Sequence, residues 1–181
     1  IVIENKDGRE AIKARFFIDA TGDGDLCHRL GLKTYLAARR QPSTTCASFS
    51  QWESLGETNW RLLIHEHAAE YHLPEGFAWG GSIPDSDVFM LAGTRVYEDC
   101  STADGLTKAE IEGRRQVRAI QDILRRYRPG SCLSLQTLPA RIGIRETRHV
   151  RCLHQLNGGE VLHGRRFEDA IASGSYRVDI H

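Results

Sequence analysis

Apolar positions in the first part of the chain predict two strands, a loop and a short helix. Residues 1–4 and 11–19 have the character of strands, and the Asn-Lys-Asp-Gly sequence at 5–8 predicts a tight turn between them. Phe16, Phe17 and Ile18 lie together, so we expect the second strand to be buried on both faces. Residues 25–30 then follow a helical pattern that Gly31 ends.

The rest of the chain alternates between strand and helix patterns. Helices are predicted at 60–71, with Asn59 as N-cap, at 107–128, where Thr-Lys-Ala-Glu has the sequence of a capping box, and at 161–172. In the second helix, the apolar face is expected to consist of Ile111, Val117, Ile120, Leu124 and Tyr127. Strands or extended segments are predicted at 43–52, 77–83, 88–97, 133–138 and 142–152. The pattern predicts an α+β fold, in which two or three helices cover a mixed, largely antiparallel sheet.

The composition suits one packed domain in water. The chain has 181 residues, of which 40% are hydrophobic and 27% are charged, and no apolar run is long enough to span a membrane. No signal-peptide pattern opens the chain. The five cysteines form no Cys-x-x-Cys pair, which favours reduced thiols in a cytoplasmic protein over a disulfide scaffold.

Charge is unevenly distributed, although the formal net charge is zero. Residues 50–106 hold ten acids and two bases, whereas residues 107–151 hold eleven bases and four acids. A basic half can indicate a nucleic-acid surface, but six of these arginines fall on the polar side of one predicted helix and no aromatic residues alternate with them. We therefore expect no nucleic-acid partner, and interpret the bases as a solvated helix face with a pocket for an anionic ligand.

The segment 19–25 carries the strongest functional signal, because glycines and carboxylates alternate directly after an apolar run. It is not a dinucleotide-binding GxGxxG, since Cys27 follows Gly24 at the third position, and no other segment has that motif. A strand-to-helix turn of this kind has room for a phosphate or a ribose. Asp23 and Asp25 would repel phosphate but can accept hydrogen bonds from sugar or ribityl hydroxyls. The alternative is a tight turn in which Asp25 caps the helix.

Residues 17–26, FIDATGDGDL, resemble a segment of FAD-dependent oxidoreductases, in which the Ala-Thr-Gly loop lies against the flavin. Further blocks resemble one bacterial branch of that family, in order: 94–96, 106–110, 112–116, 142–148, 164–167, 169–172, 174–176 and 179–181. The resemblance implies that FAD is the cofactor. It implies these cofactor-side residues: Ala20, Thr21, Gly22, Asp23 and Gly24.

The family also has an N-terminal GxGxxG unit and a C-terminal segment that closes over the flavin, and this sequence contains neither. We therefore expect the central portion of a larger enzyme whose remainder would add an α/β FAD-binding domain. Residues 1–25 would be the tail of the FAD-binding domain, and residues 26–181 the substrate (cap) domain. The strands within 1–19 would then expose unpaired edges, so we expect them to pair with each other, to exchange with a second copy in a homo-oligomer, or to be poorly ordered.

Arg145, Arg148 and His181 are the substrate-side candidates. Related flavoenzymes often hold an anionic substrate with arginine and histidine, so the resemblance implies that one of the two arginines faces the active site, with His181 nearby. Since the arginines are three residues apart, a strand would point them to opposite faces. The alternative is a structural ion pair between an arginine and Glu146 within the sheet.

No metal site is expected, because the histidines at 65, 67 and 72 lack the spacing that places two ligands together on one helical face. The resemblance implies an enzyme that passes a hydride between a small organic substrate and flavin. The alternative is a folded binding or interaction domain without catalysis of its own. A yellow colour and a flavin absorption band after purification distinguish the two.

Overall fold

The computed structural model describes residues 1–180, and within them eight short strands and four α-helices. In chain order, they are β1 (Val2–Asn5), β2 (Gly8–Ala11), α1 (Asp25–Arg29), β3 (Thr34–Leu36), β4 (Cys46–Ser50), α2 (Trp60–His67), β5 (Trp79–Ser82), β6 (Phe89–Ala92), α3 (Ala103–Arg126), β7 (Ser134–Thr137), β8 (Arg148–Val150) and α4 (Gly158–Leu162).

The central sheet has four antiparallel strands in the order β5-β6-β4-β7. Its inner face carries buried side chains at alternate positions, including Ala47 and Phe49 of β4 and Phe89 and Leu91 of β6. Two smaller antiparallel pairs, β1-β2 and β3-β8, lie outside this sheet. The predicted α+β class and the predominance of antiparallel pairing are therefore confirmed.

Helix α3 covers the central sheet and supplies most of the core. Val117, Ile120 and Leu124 belong to one buried cluster with Phe49 of the sheet and Trp60 of α2. The sequence predicted Val117, Ile120 and Leu124 correctly, but Ile111 is 66% exposed, Tyr127 is half-buried, and the fully buried Ile123 was not predicted. The face is rotated because small residues on the same helix, Ala109 and Gly113, make the close contacts near its start.

The start of α3 was predicted wrongly. Its N-cap is Thr102, whose side-chain oxygen accepts from Gly105 N at 3.1 Å. The Thr107 hydroxyl instead donates to Ala103 O at 2.9 Å, and a carboxylate oxygen of Glu110 accepts from Ile142 N at 2.7 Å. The apparent capping box therefore lies inside the helix, where tertiary contacts use the side chains that a cap would need.

The prediction of a buried strand at 11–19 was also wrong. A hairpin does form, with Val2 opposite Ala11, but its second strand is β2 and residues 12–20 are irregular. Phe16 and Ile18 are 79% and 89% exposed. A two-stranded hairpin has no second layer to cover it, so strand propensity alone does not bury these residues.

The last third of the chain is less regular than its pattern predicted. Of 142–152, only β8 is a strand, while Gly143 makes a single bridge to Thr44. The helix expected at 161–172 is instead α4, which begins at a capping box between Asn157 and Glu160. Gly164, with φ of 59°, follows the end of that helix, and its left-handed conformation prevents continuation.

The remaining predicted elements are confirmed with shorter bounds: α1, α2, β4, β5, β6 and β7. Asn59 caps α2 as expected, its side-chain oxygen accepting from Leu62 N at 3.2 Å. Strand β3 was not predicted, because three residues are too few to show a period.

Candidate functional site

Asp19 organises the loop formed by residues 19–25. One carboxylate oxygen accepts from the backbone N–H and the hydroxyl of Thr21, at 3.1 and 2.7 Å, and the other accepts from Cys27 N at 2.9 Å. The hydrogen bond from Cys27 N, followed by those from Thr21, holds the pKa of Asp19 well below its usual range. The conformation of the 19–25 loop is therefore fixed by its own first residue.

Gly22 and Gly24 both have left-handed backbones, with φ of 84° and 61°, but in different surroundings. A Cβ on Gly24 would lie 3.0 Å from Val150 Cγ2, so this glycine allows the loop to approach β8 closely. A Cβ on Gly22 would meet no atom within 4 Å. The loop therefore presents Gly22 to open space.

The carboxylates of the 19–25 loop are bound within the protein. Asp23 Oδ1 accepts from the hydroxyl of the buried Thr147 at 2.5 Å, and Asp25 forms a salt bridge with Arg148. Within residues 1–180, by contrast, no protein atom accepts a hydrogen bond from the backbone N–H groups of residues 22–24. The loop thus offers free donors to a ligand while its acids already have partners.

Arg148 connects the loop to the rest of the fold. Its guanidinium donates to Asp25 Oδ1, to Ser101 O and, at 3.4 Å, to Asp23 O, and its side chain is only 13% exposed. Glu146, the alternative partner considered from sequence, instead accepts from Gln41 N at 2.8 Å and contacts His149 Nε2 at 2.8 Å. Arg148 is therefore placed where the loop meets the start of α3.

Arg145 lies in a different environment. Its guanidinium donates to Pro42 O at 2.6 Å and to the hydroxyl of Thr44, next to the start of β4. The structure brings Arg148 to the 19–25 loop, whereas Arg145 binds backbone and hydroxyl oxygens outside it. His181, the third predicted substrate-side residue, lies outside the described residues, and the roles of all three toward a substrate stay predictions.

A cavity of about 380 Å³ lies between the loop, α1 and the start of α3. Its polar lining includes Asp23, Asp25 and Arg148, and its apolar lining includes Ile142 and Ile144. The volume falls in the range of small-molecule sites, and one wall is formed by the loop that the sequence associates with flavin.

A family model for FAD dependent oxidoreductases matches residues 1–181. The chain belongs to the FAD-dependent oxidoreductase family. Comparisons with curated proteins and with solved structures found no match to the chain. The resemblance of residues 17–26 to this family is confirmed, and FAD is the cofactor on which the family depends.

The 19–25 loop has the properties needed to contact FAD. A flavin nucleotide carries hydroxyl and phosphate oxygens that accept hydrogen bonds, and the N–H groups of residues 22–24 are available as donors. The open space beside Gly22 admits a ligand to the backbone itself. The salt bridge of Asp25 with Arg148 and the hydrogen bond of Asp23 with Thr147 reduce the repulsion that these acids would otherwise exert on an anion.

Two cationic residues of the cavity were not predicted from the sequence. Arg29, in the last turn of α1, and Arg141 both line it, and neither side chain forms a hydrogen bond or salt bridge within residues 1–180. Arg29 comes four positions after the end of the 19–25 loop, which is the only sequence signal that distinguishes it. Arg141 is 112 positions further along the chain, so only the folded structure brings the two together.

A second, larger cavity of about 490 Å³ lies beside Glu146 and is also lined by Arg39, Arg40 and Glu98. None of residues 19–25 belongs to its described lining. We therefore associate the flavin-related chemistry with the smaller cavity, where the family's loop lies.

Within residues 1–180, no helix is both long enough and apolar enough to cross a membrane. The cysteines of this region are all free thiols, of which Cys100 is buried.

Proposed function

We propose that the protein serves in hydride transfer between a small anionic organic substrate and FAD, with the 19–25 loop beside the flavin nucleotide. The proposal rests on the surroundings and the hydrogen bonding of the 19–25 loop. Gly22 faces open space, the N–H groups of residues 22–24 have no acceptor within the described chain, and the neighbouring acids are bound to Thr147 and Arg148.

In this proposal, each residue of the loop has a definite task. Asp19 holds the turn in shape before the cofactor arrives, which reduces the entropy lost on binding. Ala20, Thr21 and Gly22 present an exposed backbone to the nucleotide, while Asp23 and Gly24 attach the loop to Thr147 and β8. FAD, when bound, supplies the hydride chemistry.

The substrate side is proposed to lie across the 380 Å³ cavity. Arg148 would orient the loop and contribute positive charge at the cavity wall, since its guanidinium is held by Asp25 and Ser101. A buried cation next to the reacting groups favours anionic substrates and stabilises negative charge that develops during transfer. Arg145, which does not line this cavity, and His181 remain proposed contributors to substrate binding.

We also propose that the chain divides between residues 25 and 26. We assign residues 1–25 to the flavin-binding part and residues 26–181 to the substrate (cap) part, with Thr147 and Arg148 holding the first against the second. Free thiols agree with the proposed cytoplasmic location, where disulfides are rare.

A pair of glycine variants tests the proposal. Gly22 and Gly130 have similar φ values, 84° and 88°, and a Cβ at either position would meet no atom within 4 Å. Valine at each therefore imposes a comparable backbone strain, but only Gly22→Val places a side chain where the flavin is proposed to lie. We expect Gly130→Val to bind FAD like the unchanged protein, and Gly22→Val to bind it at least about tenfold more weakly.

Quenching of flavin fluorescence during an FAD titration measures the affinities, and thermal unfolding verifies that the two variants lose similar stability. Equal affinity in both variants, or no saturable binding by the unchanged protein, would contradict the proposal.

A further inference from the structure

The 380 Å³ cavity contains two arginines whose guanidinium groups form no hydrogen bond or salt bridge within residues 1–180. Arg29 approaches from the end of α1, and Arg141 from the segment that precedes the Gly143 bridge. Both are exposed, and within residues 1–180 neither takes part in a salt bridge or a side-chain hydrogen bond. They differ in this respect from Arg148, which donates to three protein oxygens.

Nearby acids do not satisfy these two arginines. Asp25 is paired with Arg148, and Asp23 accepts from Thr147. Glu110 interacts electrostatically with Arg141, but its oxygens already accept from Ile142 N and from Arg114. The cavity therefore keeps two guanidinium forks available to an incoming anion.

One wall of the cavity is apolar. Leu106, Ile142 and Ile144 belong to it, and Ile142 is part of a buried cluster with Val96 and Ala109. A ligand that fits this cavity has an apolar body for the aliphatic wall and a compact anionic group for the arginines. A carboxylate matches the planar fork of arginine, which binds it through two parallel hydrogen bonds.

Charge balance favours a carboxylate over a phosphate. The side chains of Asp23 and Asp25 line the same cavity, so the surplus of positive charge is small. A singly charged carboxylate is neutralised by that surplus, whereas a doubly charged phosphate would exceed it and leave a net negative charge in the cavity.

We propose that Arg29 and Arg141 bind the carboxylate of a small organic acid with an apolar body, whose remainder packs against Ile142 and Ile144. This inference rests on the proposed function, because it identifies the substrate class for the cavity beside the flavin loop. It assigns recognition of the anionic group to these two arginines and leaves Arg148 as a positioning residue.

Benzoate is the test ligand, and benzamide is its neutral counterpart of nearly the same shape. We expect the full chain to bind benzoate saturably, as measured by calorimetry or by shifts of amide resonances, and to bind benzamide at least about tenfold more weakly. Arg29→Gln and Arg141→Gln should each weaken benzoate binding by a similar factor. Arg118→Gln is the matched control, because Arg118 is exposed on α3, its side chain forms no hydrogen bond within residues 1–180, and it lies outside the cavity.

Several results would overturn the inference. One is that the chain does not bind benzoate, and another is that it binds benzoate and benzamide equally. A third is that Arg118→Gln loses as much benzoate affinity as the cavity variants do. The last is arginine-dependent binding of inorganic phosphate in place of benzoate. Titrating FAD into the same variants separates this inference from the proposed function. Loss of FAD affinity with unchanged benzoate affinity would assign the arginines to the cofactor, whereas arginine-dependent benzoate binding without any FAD binding would contradict the flavin proposal alone.

Discussion

Single residues determine whether the 19–25 loop can receive a ligand. Asp19 accepts hydrogen bonds from the N–H groups of Thr21 and Cys27, whereas within residues 1–180 no protein atom accepts from the N–H groups of residues 22–24. Gly24 is needed for contact with Val150, while Gly22 has no neighbour that would exclude a side chain. The two glycines of this short motif are therefore present for different physical reasons, and the sequence alone does not distinguish them.

The pH dependence of Asp19 tests this account of the loop. Its folded-state pKa is depressed below the ordinary value of 3.8, so the stabilisation by the carboxylate is complete above that value and is lost as the pH falls through the lower, folded-state pKa. We expect the ¹³C carboxyl resonance of Asp19 to titrate with a midpoint well below 3.8, accompanied by a shift of the Cys27 amide.

Thr21→Ala removes one of the donors to Asp19 and should move that midpoint upward. A midpoint at or above 3.8 in the unchanged protein would show that the loop is not held in this way.

Among the elements, α3 shows how tertiary contacts override local signals. The residues at 107–110 have the sequence of a capping box, yet the helix begins at Ala103 and Glu110 binds Ile142 N instead. Predictions from local sequence are confirmed where no distant partner competes for the side chain, as at the Asn59 cap of α2. The hairpin turn at 5–8 was also predictable, but the exposure of Phe16 was not, because burial depends on a covering layer.

Gly113 of α3 provides a test of packing at this scale. Alanine usually stabilises a helix interior by about 1 kcal/mol relative to glycine. Here a Cβ would lie 2.1 Å from Thr45 Oγ1 and 3.2 Å from Ile142 Cδ1, so we expect Gly113→Ala to lower the free energy of unfolding by about 1–3 kcal/mol.

Thr45→Ala should partly rescue that variant, because it removes a buried hydroxyl that has no hydrogen-bond partner within residues 1–180. Thr45→Ser keeps the oxygen and should not rescue it. Denaturant titrations of the single and double variants measure the differences. Gly113→Ala as stable as the unchanged protein would show that the helix does not pack on β4 as closely as described.

In the whole molecule, Arg148 joins three segments that are far apart in sequence: the 19–25 loop, the start of α3 and β8. The family was recognisable from residues 17–26 together with the further blocks between 94 and 181, and the α+β class was recognisable from the strand and helix patterns along the chain. The cavity was not predictable from the sequence. It depends on the Thr147–Asp23 contact, which spans 124 positions, and on neighbouring contacts that bring Arg29 and Arg141 to the same cavity. Sequence patterns report local geometry, whereas the site is formed by long-range contacts.

The most direct test of the central claim is to follow the backbone amide resonances of the chain during a titration with FAD. We predict saturable shifts that are largest at Gly22, Asp23 and Gly24, because their N–H groups would acquire acceptors from FAD. The Gly130 amide, in an equally open left-handed turn, should not shift. Shifts that leave residues 22–24 unchanged while other regions respond would contradict the placement of the flavin beside this loop.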